Sequence, residues 1–280
     1  MYSAAPTLIT RFPLAAYFTC AYAISWLIWA PLWLPAFGVN GLPAFRYQHA
    51  LGALGPISAA FLVSLATSGR PGAWNLLRRM GRWRGQLAWL AVAVGGPALL
   101  LVLGVLGAAL VGHESISVAT FGRSREFPLF SAVGFLAYNV VSFGFGEEVG
   151  WRGFALPRLQ ARHSALVASL LLTVGWALWH VPLFFYRPGY TSMGLAGIAG
   201  WLFSLLTGAI LLTWLYNESR GSLLVVALFH AAVDVVFTSE ISSPMVVNAA
   251  GALITIWGVL VLAIAGPRYL TRRRCVEQAT

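Results

Sequence analysis

The stretch VSFGFGEEVGWRGFAL, residues 141–156, places two adjacent carboxylates, Glu147 and Glu148, at the end of an apolar run. Arg152 follows the second by four residues, the spacing at which a glutamate and an arginine pair on one helix face. Neighbouring helical residues point about 100° apart, so the two carboxylates face different surroundings. The pattern predicts that Glu148 is held by Arg152 and that Glu147 is available for chemistry. A helix that simply ends at the membrane interface with these three charges is the alternative.

The amino-acid composition is that of a polytopic membrane protein. The chain has 280 residues, of which 59% are hydrophobic and 9% charged, whereas soluble domains carry about 25% charged residues. No segment is polar enough to form a separate soluble domain, so we expect a single membrane-embedded domain over residues 1–280. The N-terminus lacks the pattern of a cleavable signal peptide.

Eight apolar runs approach the length of about 20 residues that a helix needs to cross a bilayer. They cover residues 13–36, 47–67, 87–111, 129–150, 164–186, 194–216, 222–238 and 246–266, with soft boundaries. The sequence therefore predicts an all-α membrane bundle of about eight transmembrane helices, with seven as the competing count. The basic loop after residue 67 is expected to end the second helix.

All 18 basic residues are arginines, and they lie mostly between the apolar runs. With a cytoplasmic N-terminus and eight helices, 14 of them face the cytoplasm, and only Arg46, Arg123, Arg125 and Arg187 face outward. This asymmetry follows the positive-inside rule and predicts that both termini are cytoplasmic. A topological role also explains the net charge of +10 without nucleic-acid binding.

Ionisable side chains recur inside three apolar runs, where each costs roughly 2.5–3.5 kcal/mol at the bilayer centre. Besides Glu147, they are His180 in TVGWALWHVPLFF, and His230 and Asp234 in LLVVALFHAAVDVVF. Taken singly, His180 could cap a helix end, and His230 and Asp234 could satisfy each other. Their convergence on three helices favours one site, provided that tilted, broken or unevenly placed helices bring them level. Asn139, two turns before Glu147, is interpreted as a packing residue.

Several reaction classes are consistent with this set of side chains. The chain has no HExxH zinc motif and no GxSxG nucleophile motif. A carboxylate with two imidazoles suits activation of water without a metal, and the same groups also suit zinc. A proton relay or transporter would spread polar residues through both halves of the chain, whereas here they concentrate in the fourth to seventh runs. A non-catalytic membrane protein remains open.

The three polar motifs resemble those of one membrane-protease family. EEVGWR is similar to its EExxxR motif, WALWH to its FxxxH motif with Trp176 in place of Phe, and HAAVD to its HxxxN/D motif. This is the CAAX-protease and bacteriocin-processing family, also called CPBP or Abi. The resemblance covers about residues 129–240, which we interpret as the protease core. It implies an intramembrane endopeptidase of the glutamate type, similar to prenyl-protein proteases of the Rce1 type.

The resemblance also implies a role for each residue. Glu147 would activate water, His180 would help to hold that water, and His230 with Asp234 would stabilise the oxyanion. Glu148, Arg152 and Trp176 would support them. No cofactor is expected, although members of the family have been described as metalloproteases.

The resemblance and the composition together lead to further expectations. The partners would be the lipid bilayer and a peptide or lipidated protein substrate, with no nucleic acid. The expected location is the bacterial plasma membrane, with an active site open to the cytoplasm because Glu147 precedes an inward loop. A zinc-dependent hydrolase and a non-catalytic bacteriocin-immunity protein are the alternatives.

Overall fold

Helices make up the regular structure of the chain. The computed structural model describes residues 7–113, 117–120, 122–124 and 129–271. The principal helices are α1 (Pro13–Trp33), α2 (Gly55–Met80), α3 (Leu87–Leu110), α4 (132–160), α5 (Ala165–Trp179), α6 (Leu195–Glu218), α7 (Leu223–Thr238) and α8 (Pro244–Ala265). Short helices cover Leu8–Arg11, Gln48–Gly52, Leu34–Phe37, Val118–Thr120 and Val181–Phe185. Within these described ranges there is no strand, only an isolated bridge between Ser124 and Ser239.

Among the residues that the structure describes, six helical segments are long and apolar enough to cross a membrane. They contain α1, α2, α3, α5, α6 and α8, whereas α7 is apolar but only 16 residues long. The protein is therefore an all-α integral membrane protein, as the composition predicted. The count of eight spans and the division into one domain stay predictions.

The second helix is interrupted close to its expected end. The loop after residue 67 was expected to end it, and the helix does break at Gly69, but helical structure then resumes and continues to Met80. Gly69 interrupts the helix with φ 62° and ψ −159°, a conformation that glycine adopts without a Cβ clash. Pro71 restarts the helix after the break, because its fixed φ suits a first turn. The basic segment thus forms a helical extension.

Helix ends gather at two opposite ends of the bundle. At one end, the Arg79 guanidinium donates to the carbonyls of Gly153 and Gly221, and Ser222 Oγ donates to the Arg82 carbonyl. This end, which also holds the segments around Arg162 and Arg268, is called the arginine-rich end. Both chain termini, with the arginines at 272–274, lie outside the described residues, as does Arg125.

Helix α4 is not a regular α-helix. It consists of Ala132–Asn139 (α), Val140–Phe145 (π), Gly146–Gly150 (α), Trp151–Ala155 (π) and Leu156–Gln160 (α). A π-turn accommodates an extra residue and recurs at functional sites. A Cβ on Gly144 would lie 2.5 Å from the Ala227 carbonyl oxygen, so glycine lets α7 approach this π-turn closely. The short α segment with both glutamates is thus framed by two π segments and packed against α7.

Candidate active site

The four predicted catalytic residues line one cavity. Its volume is about 90 Å³, room for a few water molecules at ~30 Å³ each. The lining comprises His49, Phe135, Tyr138, Asn139, Phe143, Glu147, Trp179, His180, Leu183, Arg187, Tyr190, His230, Asp234 and Thr238. The structure thus brings together the side chains of α4, α5 and α7 that the sequence placed in three separate motifs.

Glu147 is buried and held by two tryptophans. Its Oε2 accepts a 2.7 Å hydrogen bond from Trp176 Nε1 and a 3.2 Å bond from Trp151 Nε1. Trp151 lies four residues along the same helix, while Trp176 reaches across from α5. Both indoles are donors only, so they fix the carboxylate without competing for its proton. The predicted supporting residue Trp176 therefore contacts the predicted base directly.

Glu148 is the centre of a second, separate cluster. Its Oε1 accepts 2.8 Å hydrogen bonds from Arg152 Nη1 and from His230 Nδ1. Glu148 and Arg152 have no exposed surface. The Arg152 guanidinium also lies over the Trp176 ring, 4.7 Å from its centroid. The predicted Glu148–Arg152 pair is present, and it also orients the imidazole of α7.

The contact between His230 and Asp234 is looser than the sequence suggested. His230 Nε2 lies 3.6 Å from Asp234 Oδ2, longer than a hydrogen bond. Because Nδ1 faces Glu148, the partner that orients the ring belongs to the EExxxR motif and not to its own helix. Asp234 stands beside the Nε2 edge that faces the cavity.

His180 sits where α5 ends. Its Nδ1 is 2.8 Å from the Trp176 carbonyl oxygen, and only a protonated nitrogen can make that bond. In the neutral ring, Nε2 is then left as a hydrogen-bond acceptor. His180 is thus bonded to a carbonyl at a helix end and also lines the cavity, and the carbonyl bond fixes its tautomer. Its catalytic role stays a prediction.

Helices α5 and α7 begin at different depths in the bundle, and this difference places His180 and His230 at the level of Glu147. Leu223, the first residue of α7, packs against Gly153 in α4, and six residues separate Gly153 from Glu147. His230 follows Leu223 by a similar distance, about 10 Å at 1.5 Å per residue. Helix α4 continues past Gly153 to Gln160, so α5 begins farther out and needs about 22 Å to reach His180. The expected uneven placement of helices is therefore found.

Two further cavity residues, His49 and Asn139, were not assigned a catalytic role from the sequence. His49, near the start of the second apolar run, lines the cavity, and its Nδ1 is 2.7 Å from Tyr186 Oη. Asn139 also lines it, with Nδ2 donating to the Phe135 carbonyl. In a regular α-helix Asn139 and Glu147 would diverge by about 80°, and the extra residue of the π segment offsets about 100°. The π segment thus brings Asn139, interpreted from the sequence as a packing residue, to nearly the same face as Glu147.

The cavity lies toward the helix ends that are opposite to the arginine-rich end. From Glu147, its lining runs to the end of α5 near Arg187, the end of α7 near Thr238 and the start of α4. The sequence analysis expected both the arginine-rich loops and the opening of the cavity on the cytoplasmic side, and these two expectations concern opposite ends of the bundle. The orientation of the bundle in the membrane and the side on which the cavity opens stay predictions.

No metal-binding group is evident in the part of the chain that the structure describes. There, no three His, Cys, Asp or Glu side chains are arranged to hold a metal ion. The four predicted catalytic side chains share a cavity, and three of them, Glu147, His180 and His230, are already hydrogen-bonded within the protein. The absence of a cofactor stays a prediction.

Comparison with known proteins agrees with the motif reading. A family model described as type II CAAX prenyl endopeptidase, Rce1-like, matches residues 129–236. A protein of Methanococcus maripaludis named CAAX prenyl protease 2 is 32% identical over 143 residues, which is 49% of this chain and 51% of the relative. The chain thus matches about half the length of that relative. The matched segment, residues 129–236, carries Glu147, His180, His230 and Asp234, and over this segment the chain is similar to Rce1-like CAAX prenyl endopeptidases.

Proposed function

We propose that this protein is an intramembrane endopeptidase that hydrolyses a peptide bond with water activated by Glu147. The observation that carries the proposal is the burial of this carboxylate between two indole donors, in one cavity with His180 and His230. A buried carboxylate beside a water-sized space is placed to accept a proton from water. Among the described residues that line the cavity, Asp234 is the other carboxylate.

The proposed reaction uses these groups in two steps. Water held by Glu147 and by Nε2 of His180 gives its proton to Glu147 as its oxygen attacks the scissile carbonyl. Negative charge forms on the carbonyl oxygen, which accepts a hydrogen bond from Nε2 of a doubly protonated His230. The carbon–nitrogen bond then breaks, and the proton on Glu147 passes to the leaving nitrogen. The products are a carboxylic acid and an amine, which together exchange one proton to become a carboxylate and an ammonium group.

Glu148, Arg152 and Asp234 would act through His230. Two carboxylates, Glu148 at Nδ1 and Asp234 near Nε2, surround the imidazole and stabilise its cationic form electrostatically. An ionised Asp234 donates no hydrogen bond, so in this proposal the imidazole is the oxyanion donor. Arg152, which bonds to the same Glu148 oxygen as His230 does, balances the charge of Glu148.

The proposed substrate is a membrane-associated or lipid-modified peptide or protein. The site lies inside a bundle of membrane-length helices, where a lipid anchor would bring a scissile bond. The relative from Methanococcus maripaludis is named CAAX prenyl protease 2, which favours a prenylated substrate. The proposed location is the plasma membrane of a bacterium, which the exclusive use of arginine over lysine suggests.

Replacing His180 with glutamine tests this assignment. His180→Gln is expected to lower the hydrolysis rate of lipidated, quenched-fluorescent peptides by about 10²–10³-fold, because a positioned group at the reacting atoms is lost. His113→Gln, on an exposed loop, is the matched control and should retain the wild-type rate. Hydrolysis by His180→Gln at the rate of His113→Gln would remove His180 from the mechanism.

We also propose that the arginine-rich end faces the cytoplasm, so that the cavity opens to the opposite side. The test uses a cysteine-free background, with Cys20 and Cys275 replaced by serine. Ser192→Cys, in the exposed loop before α6, is expected to react with an impermeant maleimide on intact cells. Arg84→Cys, exposed at the arginine-rich end, is expected to react only after permeabilisation. The reverse labelling pattern would establish a cavity open to the cytoplasm.

A further inference from the structure

A second cavity lies at the arginine-rich end, away from the candidate active site. Its volume is about 310 Å³, within the roughly 300–1,000 Å³ range of small-molecule sites. The lining consists of Gln160, Arg162, His163, Ser164, Ala165, Asn217, Arg268, Tyr269 and Thr271. It shares no lining residue with the cavity at Glu147.

This cavity lies at the level where membrane spans end. Helix α5 begins at Ala165, α6 ends at Glu218 and α8 ends at Ala265, and all three ends border the cavity. Polar residues therefore replace apolar ones at one depth on several helices, which is the depth of lipid headgroups. The backbone amides of Ala165 and Leu166 are bonded to the carbonyls of Arg268 and Pro267, so side chains and not a helix N-terminus would bind a ligand.

The charge of the lining favours an anion. Arg162 and Arg268 both line the cavity with exposed side chains, and His163 lies beside Arg162. The nearby carboxylate, Glu218, is buried and accepts a 2.9 Å hydrogen bond from Thr271 Oγ1. The lining therefore contains two guanidinium groups, and the one nearby carboxylate is already hydrogen-bonded to Thr271. Guanidinium is the group that recognises phosphate most effectively, because it offers several donors in a plane.

Two buried polar atoms in the lining lack a hydrogen-bond partner. They are Gln160 Nε2, a donor, and Asn217 Oδ1, an acceptor. The Asn217 Nδ2 is already used, since it donates a 2.7 Å bond to the Tyr269 carbonyl. An unsatisfied buried polar atom costs about 1–3 kcal/mol, so a ligand that offers both an acceptor and a hydroxyl donor would be favoured here. A phosphodiester that carries a polyol has both.

The backbone beside the cavity is also held in an unusual conformation. Leu270 has φ 44°, a left-handed conformation that is rare for a side chain other than glycine or asparagine. Its side chain is fully buried, and this burial offsets the strain. The turn places Tyr269 and Thr271, on either side of Leu270, in the cavity lining.

We propose that this cavity binds the headgroup of an anionic glycerophospholipid with a hydroxyl-bearing headgroup, such as phosphatidylglycerol. Arg162, Arg268 and Gln160 bind the phosphate oxygens, and a headgroup hydroxyl donates to Asn217 Oδ1. Basic pockets between transmembrane helices on the cytoplasmic side are the sites where such lipids bind. The proposal does not depend on hydrolysis at Glu147.

The experiment measures the thermal unfolding midpoint of delipidated protein in a neutral detergent. Short-chain phosphatidylglycerol is titrated in parallel with phosphatidylcholine and with inorganic phosphate. Only phosphatidylglycerol is expected to raise the midpoint in a saturable way. Inorganic phosphate that gives the same saturable rise would show a soluble-phosphate site and overturn the lipid assignment. An equal rise with phosphatidylcholine would overturn the headgroup site.

Variants identify the cavity as the place of binding. The double variant Arg162→Gln/Arg268→Gln is expected to bind phosphatidylglycerol at least about tenfold more weakly, since two charge-assisted contacts are lost. The matched control, Arg70→Gln/Arg84→Gln, removes two exposed arginines outside the cavity and should bind as wild type does. Unchanged binding by the first double variant would contradict the proposal.

A ligand change on the wild-type protein provides a test that does not depend on folding of the variants. Phosphatidylmethanol has the same charge as phosphatidylglycerol but no headgroup hydroxyl. It is expected to bind several-fold more weakly, because Asn217 Oδ1 keeps no donor. Equal affinities for the two lipids would remove Asn217 from the proposed site.

Discussion

Glu147→Gln is expected to slow peptide hydrolysis by about 10²–10⁴-fold, the contribution of a positioned general base. Glutamine keeps the shape of the side chain, and its amide oxygen can still accept from Trp151 and Trp176. It cannot take a proton from water, so the variant should fold as wild type does while losing the reaction. The measurement is cleavage of lipidated and unlipidated quenched-fluorescent peptides by purified protein in detergent.

The matched control is Glu240→Gln, which changes an acidic residue that does not line the cavity and should preserve the rate. Each protein is also measured with a strong zinc chelator. Loss of wild-type activity with the chelator would favour the zinc-dependent alternative and require new roles for His180 and His230. Wild-type rates from Glu147→Gln would exclude Glu147 as the base. If the wild-type protein cleaves neither the lipidated nor the unlipidated peptides, the non-catalytic alternative gains support.

The sequence predicted the members of the site because membrane burial makes polar residues informative. A charge inside an apolar run is unfavourable, so Glu147, His180 and His230 stood out against their neighbours. The spacing of four residues between Glu148 and Arg152 also predicted their ion pair, since it depends only on local helix geometry. Their catalytic roles remain predictions.

The sequence could not predict contacts that depend on how helices pack. The bond between Glu148 and His230 joins two helices, and no local spacing encodes it. The π segments of α4 arise from close packing against neighbouring helices, for example at Gly144, and they change which residues share the face of Glu147. His49 escaped notice because it follows a loop and enters the cavity only when the short helix Gln48–Gly52 packs beside α1 and α4.

Sidedness was argued from the whole chain for the termini and from one loop for the cavity, and both conclusions stay predictions. The alternation of helices implied by the apolar runs agrees with the described contacts, since Arg79 and Arg82 meet the segments around Gly153 and Ser222 at one end. The opening of the cavity was instead argued from the loop nearest to Glu147 along the chain. A cavity beside a helical residue can extend from it toward either face of the membrane. The residues that other helices contribute to the lining therefore decide in which direction the cavity extends.

Arg152→Met is expected to lower the free energy of unfolding by about 3–5 kcal/mol, the cost of removing one partner from a buried ion pair. Methionine fills similar volume and keeps contact with the Trp176 ring, so the loss reports chiefly on charge. Glu148 would then stay buried with His230 Nδ1 as its remaining described donor. Unfolding is followed by denaturant titration in detergent, and the control Arg84→Met, at an exposed position, should change stability by less than about 0.5 kcal/mol.

A double-variant cycle separates the charge from the packing. Glu148→Gln removes the carboxylate charge, while its amide oxygen can still accept from His230 Nδ1. Because Glu148→Gln/Arg152→Met leaves no uncompensated charge, its loss of stability should be smaller than that of Arg152→Met alone. If the two single losses simply add in the double variant, Arg152 stabilises the fold by packing and not by neutralising Glu148. If the two losses do not add, Arg152 stabilises the fold by neutralising Glu148, the carboxylate that is bonded to His230. This charge balance would then be present in the folded protein without any substrate.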